Sequence, residues 1–205
     1  VRALVLVSLL AVPAAFALDG PGSASARAVA PAGHSWEEAD ALSRKILALE
    51  KRWKERSTKQ ETVLVTQSEV NSYLNLTYAP RMPKGVTGVT IRFDRDRVEA
   101  AGVVDLEQVG APREQSKWSL RALLAPSVPI LLRGKLTNRD GFGTLEWEEV
   151  RLSSLPMPLT ALAQMVATAT RSPRYPSGWD IHAPFRLPYS ARRVRLEPGR
   201  AVLEF

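Results

Sequence analysis

Apolar and polar positions along this chain change period several times, and each change predicts a different element. Between residues 36 and 53, apolar side chains recur every three or four positions as Trp36, Ala39, Leu42, Ile46, Leu49 and Trp53. That spacing predicts a helix with one narrow apolar stripe. Ser35 and Glu38 have the Ser-x-x-Glu spacing of a capping box, and Glu37, Glu38 and Asp40 place negative charge in the first turn. Lys51, Arg52, Lys54 and Arg56 crowd the last turn, where cations meet the negative helix end. The basic remainder of this helix could also lie on a membrane surface. A short strand is predicted over 61–65. Thr66 and Glu69 then repeat the capping-box spacing ahead of a second, short helix carrying Val70, Tyr73 and Leu74.

From residue 86 the period becomes two. Val89, Ile91 and Phe93 alternate with Thr90 and Arg92; Val98, Ala100, Gly102, Val104 and Leu106 continue after a turn at 94–97. This predicts a hairpin with one buried face. The polar stretch 107–117 predicts a loop, and Trp118, Leu120, Ala122 and Leu124 predict another strand. Val128, Ile130, Leu132, Gly134 and Leu136 run up to the turn Asn138-Arg139-Asp140-Gly141, from which Leu145 and Trp147 return. Val150 and Leu152 continue on the opposite parity, which predicts a β-bulge near Glu148 or Glu149. Leu155-Pro156-Met157-Pro158 is an apolar step into a third helix, with Leu159, Leu162, Met165, Val166 and Ala169 as its buried stripe. After an irregular segment at 172–188, Val194 and Leu196 pair with Ala201, Leu203 and Phe205 in a closing hairpin. The sum is an α+β fold: a curved, mainly antiparallel sheet of about six or seven strands packed against two or three helices. One domain over 35–205 accommodates it.

Ahead of that domain, residues 1–18 read VRALVLVSLLAVPAAFAL. One Arg, an apolar run and an Ala15-Phe16-Ala17 exit have the form of a secretory signal peptide. An uncleaved anchor is the alternative, although the run is slightly short for a span of roughly 20 residues. Residues 19–34, rich in Gly, Ala, Ser and Pro, predict a flexible spacer. The expected location is therefore periplasmic or secreted, with tethering through the N-terminal segment if cleavage fails. The chain has no Cys, so no disulfide helps it and burial alone must hold the domain together.

The formal net charge is +7, which brings anionic partners into view. The basic residues form no run with interleaved aromatics, so no nucleic-acid partner is expected. Anionic headgroups or an acidic envelope polymer fit the charge, as does a merely solvated surface. Arg92, Arg121, Arg133, Lys135, Arg193 and Arg195 fall opposite the apolar positions of their strands. Were those strands neighbours, they would form a basic stripe for phosphate headgroups; cross-strand ion pairing on a solvated face is the plainer reading.

Catalytic signals are absent. The two histidines, His34 and His182, belong to no His-Glu-x-x-His pattern, and no Gly-x-Ser-x-Gly elbow accompanies them. Asn138-x-Asp140-Gly141 resembles the start of a calcium loop, but Leu136 and Trp147 would fill ligand positions they cannot serve. Glu146 and Glu148 share a strand's polar face, and no Gly-rich phosphate loop occurs. No cofactor, metal or catalytic residue is expected; a hydrolase built on His182 and nearby carboxylates is the third reading. The apolar positions, by contrast, are abundant enough to line a groove or to fill a plain core. In the groove reading, Leu155, Met157, Leu159, Leu162, Met165 and Val166 face a sheet wall of Ile91, Phe93, Val104, Ile130 and Leu132. Met and Leu suit a pocket that adapts to flexible chains.

Three pieces in order carry a family likeness. They are the entry Thr66-x-x-Glu69-Val70-Asn71-x-Tyr73-Leu74, an Asp-Gly hairpin followed by VRLSSLPMPL at 150–159, and the closing strand after Leu187-Pro188. Over roughly residues 62–205 the chain resembles bacterial envelope proteins of the YpmS and LmeA type, which are grouped with tubular lipid-binding (TULIP-like) folds. The resemblance implies an exported, non-enzymatic, lipid-binding or envelope-maintenance role and carries over no catalytic residues. The expectation is thus a cell-envelope protein that binds a lipid or other apolar ligand between sheet and helices. A protein-interaction module of an envelope assembly, with its partner face on the first helix, is the alternative.

Overall fold

The computed structural model of the protein describes residues 30–105, 108, 127–171 and 176–205, excepting the side chains of 165 and 168–170. Three helices pack with two antiparallel sheets. Helix α1 (Trp36–Lys54) is followed by β1 (Thr62–Thr66), α2 (Gln67–Ser72), β2 (Val86–Asp94), β3 (Arg97–Asp105), β4 (Ser127–Arg139) and β5 (Phe142–Leu152). After these come β6 (Leu155–Pro156), α3 (Leu159–Thr170), β7 (Phe185–Arg186), β8 (Arg193–Glu197) and β9 (Arg200–Glu204). The larger sheet runs β2-β3-β4-β5-β6, with β7 also paired to β5, and does not close into a barrel. The α+β class follows as expected, but the closing hairpin does not join the large sheet. Together with β1 it makes a separate three-stranded sheet, β1-β9-β8. The strand predicted around Trp118 to Leu124 lies outside the described residues.

Alternation places the large sheet's apolar residues on one face, and the bulge falls where the parity changes. Arg133 pairs Glu149 while Gly134 pairs Trp147, so Glu148 is the extra residue. A second bulge at Gly88, with φ of +59°, separates the Thr87–Val103 pair from Thr90–Ala101. The inner face meets α1, α2 and the 181–205 segment in one core. Leu42, Leu49, Val70, Leu74, Ile91, Phe93, Leu132, Leu145, Ile181, Val194 and Leu203 are all buried in it. Gly143 is needed for closeness: a Cβ there would stand 2.9 Å from the Phe185 ring.

Both predicted caps form, one of them differently. Thr66 and Glu69 make the full capping box, and Lys45 of α1 clasps the Glu69 carboxylate at 2.6 Å. Ser35 accepts from the Glu37 N–H, but Glu38 does not return to the cap. Instead the Ser35 N–H donates to Ser72 Oγ, whose hydroxyl donates to Glu38 Oε2 at 2.9 Å. Ser72 is fully buried, so a polar relay staples α1 to α2 where a local box would have left the helices independent.

Side-chain amides cover the open edge of β2. Gln67 Oε1 accepts from the Phe93 N–H at 3.0 Å. Asn71 accepts from the Ile91 N–H at 2.6 Å and donates to the Ile91 carbonyl at 3.0 Å. Asn75 donates to the Val89 carbonyl at 2.6 Å. The two spacings match, since four helical residues rise about 6 Å and two strand residues about 6.8 Å. After Ser72 the helix widens into a π turn, Tyr73–Thr77, with Tyr78 N–H on the Tyr73 carbonyl. An α-helix overshoots by about 40° every four residues; the wider turn undershoots, bringing Asn75 back into line. A strand edge that would template pairing with another chain is thereby closed.

Candidate functional site

Three places combine exposure with unusual chemistry. The first is the end of the large sheet where β5 stops. Ser153, with φ of +57°, turns the chain so that Leu155 and Pro156 pair back on Leu152 and Arg151. The Met157 N–H then bonds the Val150 carbonyl, and Pro158 starts α3 without a side-chain cap. This geometry leaves Leu155 49% and Leu159 36% exposed. Behind them Val104, Val128 and Leu152 form a small apolar cluster of their own. Ile130 and Met157 pack against both this cluster and the main core. Exposed Leu155 is the strand partner of Leu152, so exposed and buried apolar residues adjoin at this end.

The other expected lining residues lie elsewhere. Ile91, Phe93, Leu132 and Leu162 are buried in the main core, with Val166 packed against it. The Met165 side chain lies outside the described set. The structure thus brings together Val104, Ile130, Leu155, Met157 and Leu159 at one end and seals Ile91, Phe93, Leu132 and Leu162 in the core.

The basic positions divide similarly. On the large sheet, Arg92 stands opposite Glu99. Arg133 bonds Glu99 at 2.5 Å and Glu149 at 2.8 Å, while Arg151 and Arg97 engage Glu149 and Glu148. The Glu99 hydrogen bond holds the Arg133 guanidinium above its ordinary pKa. Exposed pairs of this kind contribute little to stability; this face is the solvated ion-pair network that alternation also allowed. Arg121 lies outside the described residues. Arg193 and Arg195 sit on β8, in the other sheet, and meet Lys135 across a cleft of about 420 Å³ that also holds Asp96 and Glu197. Arg195 is occupied by Glu204 at 2.9 Å, whereas Lys135 and Arg193 make no ion pair among the described residues. Asn138 closes the cleft floor by accepting from the Val194 N–H and donating to its carbonyl. Asn138, at the start of the turn, is thus a clamp between β4 and β8.

The third place was not singled out from the sequence. A notch of about 270 Å³ lies at the end of α1, between Arg52, Trp53, Arg56 and Ser57 on one side and Tyr189, Ser190 and Phe205 on the other. Helix α1 ends in a Schellman motif, with Ser57 N–H on the Arg52 carbonyl and Arg56 N–H on the Trp53 carbonyl. Arg56 occupies the left-handed position that glycine usually fills, at φ +50°. Tyr189 and Ser190 are also left-handed, at +52° and +63°. Such residues cost about 1–3 kcal/mol each and gather where function holds them. The Arg52 guanidinium lies 5.1 Å from the centre of the Phe205 ring. Burial, with the Glu50 carboxylate adding to it, pushes the Tyr189 phenol up to about 12.

That shift has a sign. The folded state favours the protonated phenol over the unfolded chain, where the value is near 10. Its contribution is full below about pH 10 and is lost as pH rises through about 12. Tyr189→Phe should therefore flatten the fall of the urea midpoint between pH 10 and 12, relative to the wild-type chain.

His182 is exposed, and its backbone N–H donates to Asp180. Among the described residues no three His, Asp or Glu side chains gather as metal ligands, and no helix is long and apolar enough to cross a membrane. No family model, curated protein or solved structure matches the chain.

Proposed function

We propose that this chain is an exported, non-enzymatic protein of the cell envelope that takes the acyl chain of a lipid at the Met157 end of its large sheet. The observation that carries the reading is the unsealed apolar end: Leu155 and Leu159 are exposed on either side of Met157 in the chain, Leu155 pairs with Leu152, and Met157 and Ile130 pack on the small Val104, Val128 and Leu152 cluster. Exposed large apolar side chains adjoining buried ones favour an apolar partner. Met157 is unbranched and adapts to chains of different shape. The signal-like segment at 1–18 and the likeness to lipid-binding envelope proteins support the same reading. Extraction of the protein purified from an envelope-containing host should yield co-purifying lipid by mass spectrometry. Met157→Lys should abolish that yield, because burying an uncompensated ammonium in the cluster is unfavourable. A lipid-free extract that also fails to bind labelled phospholipid overturns the proposal.

One observation favours the second reading, an interaction module. Ile91, Phe93, Leu132 and Leu162 are close-packed core, and Trp53 on the first helix is 43% exposed. A stable complex with another envelope protein that forms without lipid, and is lost on Trp53→Ala, would support it.

A further inference from the structure

The C-terminal end of α1 carries charge out of proportion to the rest of the fold. From Lys51 to Gln60 the chain holds five cations, Lys51, Arg52, Lys54, Arg56 and Lys59, against one carboxylate, Glu55. Arg52 is spent internally, on Glu61, Ser57 Oγ and the Lys59 carbonyl. Lys51 reaches Glu55 only at 3.9 Å, with both side chains exposed. Lys54, Arg56 and Lys59 are exposed and make no ion pair among the described residues. In their midst Trp53 is 43% exposed at the rim of the notch.

We propose that this end of α1 docks on an anionic phospholipid surface, with Trp53 as the interfacial anchor and the notch receiving a headgroup phosphate. The inference rests on the envelope reading above, but uses a different part of the molecule. An indole with an apolar body and a polar N–H settles at the headgroup level, and lysines beside it keep their charge in water. Inside the notch, Arg56 and the hydroxyls of Ser57 and Ser190 offer donors for phosphate, and the neutral Tyr189 phenol adds no negative charge. Charge complementarity selects a bilayer surface: a diffuse field from Lys51, Lys54 and Lys59 surrounds a single small notch, which fits many headgroups better than one free anion. The position of Arg56 is the sharpest sign. A glycine would fill the Schellman turn without strain, so the arginine is held there against the backbone preference.

Sedimentation with vesicles of phosphatidylglycerol, phosphatidylcholine, or their mixture tests the proposal. Binding should rise with the anionic fraction and fall with salt, and Lys54→Gln with Arg56→Gln should weaken it about thirtyfold. Brominated phosphatidylglycerol should quench the emission of the wild-type chain but not of Trp53→Phe, which keeps Trp36, Trp118, Trp147 and Trp179. Arg56→Gly should bind vesicles more weakly while unfolding at equal or higher urea, which a merely structural arginine would not do. Equal binding to neutral vesicles, quenching that survives Trp53→Phe, or full competition by millimolar inorganic phosphate overturns the proposal. Capture of a protein partner through Trp53 with no vesicle binding also overturns it. A protein that takes up lipid at Met157 yet ignores anionic vesicles refutes the docking alone; vesicle binding without acyl-chain uptake refutes the other reading alone.

Discussion

Asn71→Ala should lower the stability of the folded chain by about 2–6 kcal/mol, since each of the two buried polar groups left unpaired costs about 1–3 kcal/mol. The Asn71 amide exchanges two hydrogen bonds with Ile91, occupying the strand's N–H and its carbonyl at once. Ile91 is 4% exposed, so water cannot replace the lost partner without opening the core. The check is the urea midpoint, read together with Asn71→Leu, which keeps the volume but neither bond. If Asn71→Leu is as stable as wild type, the amide is not what closes the edge of β2. Exposing that edge should also promote self-association, visible as a concentration-dependent sedimentation coefficient.

Leu74→Ala should cost about 3–5 kcal/mol. Leu74 is 1% exposed and enters the core from the π turn, beneath α1 and against the large sheet. Its backbone sits in a widened turn held by the Tyr78–Tyr73 bond, so the surroundings cannot easily collapse into the space left behind. Leu47→Ala is the comparison on an exposed helical face, where Leu47 is 48% accessible, and should change stability by no more than about 0.5 kcal/mol. Near-equal losses for the two would mean that the π turn is not packed as described.

The two positions show what was legible in the chain. Period-two alternation placed Ile91, Phe93, Leu132 and Leu145 on one face, and the change of parity after Trp147 located the bulge, because one extra residue inverts every later side chain. Thr66 and Glu69 announced their own cap, which is a local interaction. What escaped is non-local. Ser35 caps as expected, but its N–H finds Ser72, far along the chain, and only the packing of α1 on α2 brings them together. The pairing of β1 with β9 likewise follows from tertiary proximity, so one expected sheet became two. Gln67, Asn71 and Asn75 did carry a signal, three amides at helical spacing, yet amides on a helix ordinarily face water.

The functional residues divide along the same line. Alternation put Arg133 on the outer face, but could not say that Glu99 and Glu149 flank it and neutralise its charge. It put Met157 and Ile130 at apolar positions, but could not separate them from Phe93 and Leu162, which the chain seals in its core. Exposure at Leu155 and Leu159 depends on where β5 ends and α3 begins, and that is set by the Ser153 turn. The notch at Trp53 joins residues from the two ends of the domain, which no local pattern reports.

The most direct measurement uses the methionines. The chain has three, so methyl-labelled methionine gives a spectrum in which Met157 can be assigned by comparison with Met157→Leu. On titration with a short-chain phospholipid below its micelle concentration, the Met157 methyl should shift saturably. The Met82 methyl, packed on the main core, should stay in place. A Met157 resonance that does not move, or that moves only together with Met82, would contradict an acyl-chain site at this end of the sheet.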